Sequence, residues 1–223
     1  MHCYQASRLG PELGGHKIWC NPHNFKDSGR HFVLSLGSGN DFSYENAVFG
    51  MWIRSTVVTA DCTTFSRAGM CSFNGNRSKH VIIPKCLDSY TKNNRVTYPQ
   101  MMVDLLRMFP SLSVDHFDIM KVNIEGYEYP LFGHMFQDAD NNFRGTAQVQ
   151  IEMHRPGMQG YGLHFQSLLF GQLLVATFMS GGFHPVAIEK WHDSTACSDI
   201  VFVNQTWFLE SEQTAYRNIW SRK

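Results

Sequence analysis

The chain has 223 residues, a length that suits one large α/β domain with a substantial core. Its 19 basic and 19 acidic residues balance, which gives no sign of a nucleic-acid or membrane-surface partner. No apolar run approaches the roughly 18 residues that a membrane-spanning helix needs, and the first residues lack the pattern of a signal peptide. The chain as it stands is predicted to be cytoplasmic, or to act in the secretory lumen or as a secreted protein if a leading segment precedes it.

Cysteine and histidine spacing argues against a metal centre. The six cysteines contain no Cys-x-x-Cys pair, and the eleven histidines are scattered, so no metal ligand is predicted. One or two disulfide bonds stay open as an expectation for an oxidising compartment.

The most informative stretch follows a polar, glycine-rich lead-in over residues 1–30, which is predicted to be irregular. The apolar run Phe32-Val33-Leu34 predicts a strand, Gly37 and Gly39 predict a tight turn, and a polar segment then suits a helix start. Strand, glycine turn and helix N-terminus together form the place where open α/β sheets bind nucleotides. The alternative is a turn that binds nothing.

The details of this turn narrow the ligand. The third glycine of a dinucleotide fingerprint is replaced by Phe42, and no Gly-Lys-Ser/Thr follows, so a P-loop is excluded and a dehydrogenase is disfavoured. An adenosyl ligand without phosphates fits such a shorter turn. Asp61 ends the second predicted strand, Ser55–Ala60, and lies 24 positions after Gly37. An acidic residue at this place is positioned to accept hydrogen bonds from ribose hydroxyls.

The remaining elements alternate between strands and helices. We predict a loop over Thr63–Ser78 and then, in chain order, a strand at Lys79–Pro84, a helix at Pro99–Phe109, a strand at Asp118–Ile124, a short helix near Pro130–Phe136, a strand at Ala147–His154, a helix at Leu163–Met179, and two strands at Phe183–Glu189 and Asp199–Asn204. The last connection is too short for a crossover helix, so the last two strands are predicted to be antiparallel.

Polar side chains share one face on the fourth and fifth of these strands. The fourth places Lys121, Asn123 and Glu125 on one side, and the fifth has a longer polar face, listed as Gln148, Gln150, Glu152 and His154. A central parallel strand is usually apolar on both faces. The polar face of the fifth strand either lines a cleft or belongs to a side covered only by loops.

Several short motifs, taken in order, resemble class I S-adenosylmethionine-dependent methyltransferases. These are Leu36-Gly37-Ser38-Gly39-Asn40-Asp41, Lys121-Val122-Asn123-Ile124-Glu125-Gly126, Ile151-Glu152-Met153-His154 and Phe202-Val203-Asn204-Gln205-Thr206-Trp207. They are similar to the methyltransferase-like protein 24 group and, more distantly, to FkbM-type enzymes. The resemblance implies a Rossmann-like α/β fold, with a mostly parallel seven-stranded sheet and an antiparallel C-terminal hairpin.

The same resemblance implies a site for S-adenosylmethionine. The implied cofactor-binding residues are Gly37, Ser38, Gly39, Asp41 and Asp61, with Asp61 on the ribose. Asn123 stands where FkbM-type relatives have an aspartate, and since an amide cannot act as a base, it is predicted to orient the substrate. Glu125, Glu152 and His154 are then the candidate catalytic bases. Ser35 replaces an acidic residue that many class I enzymes have at the end of the first strand.

These residues predict an enzyme that methylates a hydroxyl oxygen of a small molecule or glycan, with a domain over 31–208 between the lead-in and a polar tail over 209–223. The competing hypothesis is a catalytically inactive domain that keeps the fold and serves as a binding or interaction module. Ser35 and Asn123 favour that alternative, whereas the glycine turn and Asp61 favour the enzyme.

Overall fold

The computed structural model describes residue 3 and the ranges 6–10, 17–20, 25, 30–52, 54–63, 69–73, 78–88, 93–110, 117–136, 146–154, 164–190 and 197–209, with backbone alone at 69–73, 164–170, 189–190 and 197. The strands are β1 Ala6–Leu9, β2 Lys17–Cys20, β3 His31–Leu36, β4 Ser55–Ala60, β5 Gly69–Phe73, β6 Ser78–Ile83, β7 Cys86–Leu87, β8 Arg95–Val96, β9 Ile119–Val122, β10 Gln148–His154, β11 Phe183–Lys190 and β12 Cys197–Asn204. The helices are α1 Ser43–Met51, α2 Tyr98–Met108, α3 Glu128–Met135 and α4 His164–Ser180.

Five parallel strands form the centre of the main sheet, in the order β10-β9-β3-β4-β6. All residues of β3, β4 and β9 are buried, as expected for strands covered on both faces. The strand order reverses at β3, which has β4 on one side and β9 on the other. This arrangement opens a crevice at the carboxyl ends of β3 and β9.

Antiparallel strands extend both edges of the sheet. β12 lies between β10 and β11 and is antiparallel to both, which confirms the predicted mostly parallel α/β fold with a C-terminal antiparallel hairpin. At the other edge, β5 pairs antiparallel with β6 as an eighth strand. The prediction of a loop throughout Thr63–Ser78 is therefore wrong at Gly69–Phe73. Pairing with β6 forms this strand, and a segment rich in Gly, Ser and Asn gives little local sign of it.

Helices cover the two faces of the sheet, and alternate residues of each central strand point to opposite layers. Leu34 packs with α2, α3 and α4 in the larger apolar cluster, whereas Val33 packs with α1 in the smaller one. In the larger cluster, Phe178 of α4 stacks on Phe202 of β12 with ring centroids 4.2 Å apart. Thr97 caps α2 by accepting a hydrogen bond from the Gln100 amide, and Pro99 in the first turn lacks the N–H that would have no helical partner.

The lead-in is structured where it is described, which differs from the irregular segment that we predicted. β1 and β2 form an antiparallel pair, and a disulfide joins Cys3 to Cys20. β2 packs on β10 and β12. Lys17 is 1% exposed and Trp19 is wholly buried, so both belong to the interior of the domain.

This packing accounts for the polar face of β10. Gln148 exchanges two hydrogen bonds with the backbone of Cys20, Gln150 accepts one from the Tyr44 hydroxyl at 2.9 Å, and Glu152 pairs with Lys17 at 2.9 Å. The face therefore contacts α1 and the N-terminal strand β2, and neither predicted alternative, an open cleft or a loop cover, describes it fully.

A second disulfide joins Cys62 to Cys86, with Cα atoms 4.7 Å apart. Among the helices that the structure describes, none combines the length and apolar character needed to cross a bilayer. Of the predicted polar tail, residues 210–223 lie outside the described ranges.

Candidate functional site

A cavity of about 510 Å³ lies at the carboxyl edge of the sheet, where the strand order reverses. Its wall combines the turn after β3, the start of α1, the ends of β4 and β7, and the loop after β9. The lining includes the glycines of the turn and a set of polar side chains, namely Gly37, Ser38, Gly39, Asp41, Ser43, Asp61, Arg95, Lys121, Asn123, Glu125 and Tyr127. The volume falls within the usual range for small-molecule sites.

The glycine turn is held in a left-handed conformation. Gly37 has φ +75° and Gly39 has φ +56°, values that favour glycine over any side chain with a Cβ. A Cβ on Gly37 would overlap the backbone carbonyl of Asn123. A Cβ on Gly39 would meet nothing within 4 Å, so this glycine adjoins open space at the cavity wall. The two glycines therefore serve different needs, close backbone packing at Gly37 and backbone conformation at Gly39.

Asp61 fastens this turn to the end of β4. One carboxylate oxygen accepts hydrogen bonds from the Ser38 amide (2.7 Å), the Ser38 hydroxyl (3.0 Å) and the Gly39 amide (2.8 Å). The other oxygen accepts from the amide (2.7 Å) and hydroxyl (2.6 Å) of Thr63. Burial alone would raise the pKa of Asp61, but these hydrogen bonds outweigh it and lower the pKa to about 2.

The hydrogen bonds of Asp61 limit which ligands the turn can bind. The amides of Ser38 and Gly39 already bind a carboxylate of the protein, so they are not open to a ligand phosphate. Sequence reasoning placed Asp61 at the cavity for a ribose. The structure places it at the cavity wall with five protein donors, and this contribution to the turn was not foreseen.

Lys121 supports the turn from below. Its ammonium group donates a hydrogen bond to the Gly37 carbonyl, and the side chain is 4% exposed. Burial lowers the pKa of Lys121, while the charge of the wholly buried Glu45 opposes that effect. Lys121 begins the Lys-x-x-x-Glu-Gly motif, so the sequence marked this residue without predicting its role. Its contact with the turn depends on the pairing of β9 with β3, which sequence alone does not show.

Asp41 prepares the start of α1 beside the cavity. Its carboxylate accepts a hydrogen bond from the Ser43 amide at 2.9 Å and remains exposed. The N-terminus of α1, with its partial positive charge, forms part of the cavity wall through Ser43 and Tyr44.

A second basic residue, Arg95, lines the far wall and was missed by the sequence reading. It donates to Asp88 at 2.5 Å and to the Tyr127 hydroxyl at 2.9 Å, and its guanidinium carbon lies 4.5 Å from the Tyr127 ring centroid. Arg95 thereby ties β8 to the loop after β9. No local pattern marks this contact, because its partners are 7 and 32 residues away.

The three predicted catalytic bases lie close together. The Nε2 atom of His154 is 3.6 Å from a carboxylate oxygen of Glu125 and 3.6 Å from one of Glu152. Only Glu125 lines the cavity, with its side chain 66% exposed. Glu152 is bound by Lys17 at 2.9 Å and by the Asn123 amide at 2.9 Å. Asn123, predicted to orient substrate, therefore reaches from the cavity wall to Glu152.

A third carboxylate, Glu128, completes this cluster as its fourth side chain and was also missed. It is wholly buried and contacts Nδ1 of His154 at 2.9 Å. Burial alone would lower the pKa of His154, but the hydrogen bond to Glu128 and the neighbouring charges of Glu125 and Glu152 outweigh it and raise the pKa. Within the described ranges, no group of three or more His, Cys, Asp or Glu side chains is arranged to hold a metal ion.

No family model and no curated protein sequence matches this chain. Among solved structures, it is similar to a fibrillarin pre-rRNA processing protein of Methanococcus jannaschii, with 12% identity over 92% of this chain and 85% of that one and a TM-score of 0.45. It is similar to a putative tRNA (m1A22) methyltransferase of Streptococcus pneumoniae in complex with S-adenosyl-L-methionine, with 10% identity over 81% and 69% and a TM-score of 0.42.

A third similar structure is the mitomycin 7-O-methyltransferase MmcR, with 10% identity over 82% of this chain and 51% of that one and a TM-score of 0.34. All three TM-scores lie below 0.5, so the function proposed for this chain rests on the geometry of its own site.

Proposed function

We propose that the cavity binds S-adenosylmethionine and that the protein methylates a hydroxyl oxygen of a small molecule or glycan. The observation that carries this proposal is the glycine turn, in which Asp61 accepts hydrogen bonds from the Ser38 and Gly39 amides. The turn borders a nucleoside-sized cavity at the point where the strand order of the sheet reverses. Two of the four motifs that resemble the methyltransferase-like protein 24 group, Leu36–Asp41 and Lys121–Gly126, supply residues of the cavity wall and support the same assignment.

The charges of the lining fit this cofactor better than a dinucleotide. In the part of the lining that the structure describes, the two basic residues are engaged, Lys121 with the Gly37 carbonyl and Arg95 with Asp88. The acidic lining residues Asp41 and Glu125 are exposed. A pyrophosphate would be repelled by these carboxylates, whereas the sulfonium and ammonium groups of S-adenosylmethionine are positive and would be attracted.

The predicted cofactor residues would divide the work of binding. Gly39 offers space at the wall, and Asp41 with the N-terminus of α1 offers polar contacts to the methionyl end. Asp61 stays the predicted partner of the ribose. Since its carboxylate already orders Ser38 and Gly39, its removal is expected to disturb the turn as well as any ribose contact.

The chemistry asks for alignment and for one proton acceptor. The cofactor supplies an electrophilic methyl group, and the acceptor hydroxyl loses a proton when its oxygen is methylated. Glu125 is the base candidate that lines the cavity, so its carboxylate is positioned to receive that proton. Glu152 is engaged by Lys17 and Asn123, which makes it a structural anion in this proposal.

The acceptor is proposed to be a small molecule or glycan and not a nucleic acid. Exposed Asp41 and Glu125 at the cavity would repel a phosphate backbone, and the chain carries no net charge to offset that repulsion. The two disulfides, Cys3–Cys20 and Cys62–Cys86, support an oxidising compartment such as the secretory lumen or the exterior.

The second candidate function is a binding module without catalysis. It is favoured by one observation: two of the three predicted bases, Glu152 and His154, are buried and absent from the cavity lining. The two functions differ in product formation and not in cofactor binding.

Calorimetry with S-adenosylmethionine, S-adenosylhomocysteine and NADH tests the cofactor proposal. We expect both sulfur compounds to bind and NADH to fail. A Gly39→Asn variant should bind at least tenfold more weakly, because asparagine tolerates the left-handed backbone but adds bulk at the wall. Gly182→Asn is the matched control, since Gly182 has φ +84° and open space away from the cavity. Binding of NADH alone would contradict the proposal.

Release of S-adenosylhomocysteine during incubation with a panel of hydroxyl acceptors then separates the enzyme from the binding module. Glu125→Gln should lower turnover and leave cofactor affinity within about twofold. Cofactor binding without product from any acceptor would favour the module.

A further inference from the structure

The cluster behind the cavity contains one residue that neither the motifs nor the proposed mechanism assigns. Glu128 opens helix α3 and is wholly buried. One of its oxygens accepts a hydrogen bond from the Ile124 amide at 3.1 Å and contacts Nδ1 of His154 at 2.9 Å. Glu128 thus joins the loop after β9 to the end of β10. A carboxylate in a fully buried position needs such partners, because an unpaired buried charge is costly.

The contact with Glu128 fixes how His154 carries its protons. Since Nδ1 faces a carboxylate, the Nδ1 proton is retained in both the neutral and the charged ring. The proton that titrates is therefore the one on Nε2. That atom faces two further carboxylates, Glu125 and Glu152, each at 3.6 Å.

Carboxylates from three neighbouring elements favour a proton on Nε2. Glu125 comes from the loop after β9, Glu128 from α3 and Glu152 from β10 itself. Lys17 of β2 offsets Glu152, but it also pairs with Asp199 of β12 at 2.9 Å. The Tyr129 hydroxyl of α3 donates a hydrogen bond to the His154 backbone carbonyl at 2.9 Å. The acidic groups outnumber the cations around the ring, which favours the imidazolium.

Glu125 combines an unusual backbone conformation with an exposed side chain. Its backbone has φ +57°, a conformation that non-glycine residues seldom adopt, and Gly126 follows at φ +95°. Its side chain is largely exposed, so packing does little to hold it over the cavity. Nε2 of His154, on a side chain that is 3% exposed, lies 3.6 Å from the Glu125 carboxylate.

We infer that Glu128 and His154 form a buried carboxylate–imidazolium pair that positions Glu125 at the cavity wall. In this assignment, which rests on the proposed function for its purpose, Glu125 alone touches the acceptor. His154 and Glu128 are positioning residues. When Nε2 loses its proton, its lone pair faces two carboxylates, and the attraction that draws Glu125 toward the ring is lost.

The test follows Glu125 and His154 in the protein without any ligand. NMR of the Glu125 side-chain carboxyl carbon and the His154 ring is recorded across a pH titration. We expect the Glu125 signal to show a second inflection at the pH where His154 titrates, because the two groups are coupled. In Glu128→Gln, the inflection of His154 and the second inflection of Glu125 should move together to lower pH, since the imidazolium loses its charged partner. In His154→Gln, the second Glu125 inflection should disappear.

Tyr129→Phe is the control, because it removes a donor to the His154 backbone without touching the ring. This variant should leave the His154 inflection and the second Glu125 inflection at their original pH. A Glu125 signal in the unmodified protein with no inflection at the His154 titration would overturn the inference, and this result needs no variant to fold. Parallel calorimetry with S-adenosylhomocysteine separates the two proposals: failure to bind counts against the proposed function, whereas coupled titration with or without binding supports the pairing.

Discussion

The α-carbon of Gly37 lies directly against the backbone carbonyl of Asn123, with no room for a side chain between them. These two residues directly follow β3 and β9, the neighbouring strands at the point where the sheet order reverses. The two motifs that suggested a function therefore meet backbone to backbone, and the cavity opens above their junction. A side chain at Gly37 would force apart the strand ends that form the cavity floor.

Gly37→Ala should be strongly destabilising. The new Cβ meets backbone that cannot rotate away, and φ +75° is unfavourable for alanine, so we expect a loss of more than about 3 kcal/mol in the free energy of unfolding. Gly39→Ala is the matched control in the same turn, where only the backbone conformation is unfavourable and the loss should be about 1 kcal/mol. Urea unfolding measures both, and equal losses would contradict the packing argument.

Asp61→Asn should weaken the turn even without a ligand. An amide would place N–H groups toward the donors of Ser38, Gly39 or Thr63, so we expect a loss of about 2 kcal/mol or more. Circular dichroism and urea unfolding check this result. Wild-type stability combined with weakened cofactor binding would instead assign Asp61 to the ribose alone.

The acid side of the stability profile should also depend on Asp61. Its pKa is about 2 in the folded protein and 3.8 ordinarily, so its contribution is complete above about pH 4 and is lost as the pH falls through 2. The unmodified protein should therefore lose more stability between pH 5 and pH 2.5 than Asp61→Asn does. Urea unfolding of both proteins at the two pH values measures this difference. An equal loss of unfolding free energy in the two proteins would show that the stability of the fold does not depend on the charge of Asp61.

Lys17→Met should destabilise the domain by about 3–5 kcal/mol, because Glu152 and Asp199 would keep buried charges without their cation. Lys85→Met is the control, since Lys85 donates to the Asn93 carbonyl at an exposed site and should matter by less than about 0.5 kcal/mol. Combining Lys17→Met with Glu152→Gln should cost less than the sum of the two single changes. Strict additivity in urea unfolding would argue that the ion pair is unimportant.

The Cys62–Cys86 disulfide should stabilise the cavity wall. Replacing both cysteines by serine should cost about 2–4 kcal/mol and weaken binding of S-adenosylhomocysteine, because both residues line the cavity. Peptide mapping under non-reducing conditions checks the pairing. Replacement of Cys3 and Cys20 is the comparison, since that bridge lies in the lead-in and should affect stability with little effect on affinity.

The sequence predicted those parts of the molecule whose pattern is local. The apolar runs of β3 and β4 and the glycine turn were recognised at their true positions, because each is formed by neighbouring residues. Asp61, Glu125 and His154 were named as site candidates from their places at strand ends. What could not be predicted depends on distant partners. Lys17 contacts Glu152 across 135 positions, and nothing near Lys17 marks it as buried.

The same limit applies to Glu128 and to the polar face of β10. Glu128 was one acidic residue among several near a short helix, and only the fold shows that it meets His154, 26 positions away. Gln148 and Gln150 were interpreted as lining a cleft or as lying on a side covered only by loops. Their partners, the backbone of Cys20 and the hydroxyl of Tyr44, come from the other end of the chain.

The contact of β2 with β10 and β12 also bears on how the protein is made. During synthesis, residues 17–20 leave the ribosome long before residues 148–154 and 197–204 exist. Lys17 and Trp19 cannot be buried in their native positions until β10 and β12, on which β2 packs, have been synthesised. The domain therefore cannot fold strand by strand from β2 onward, and we expect the nascent chain to depend on chaperones until β12 has been synthesised.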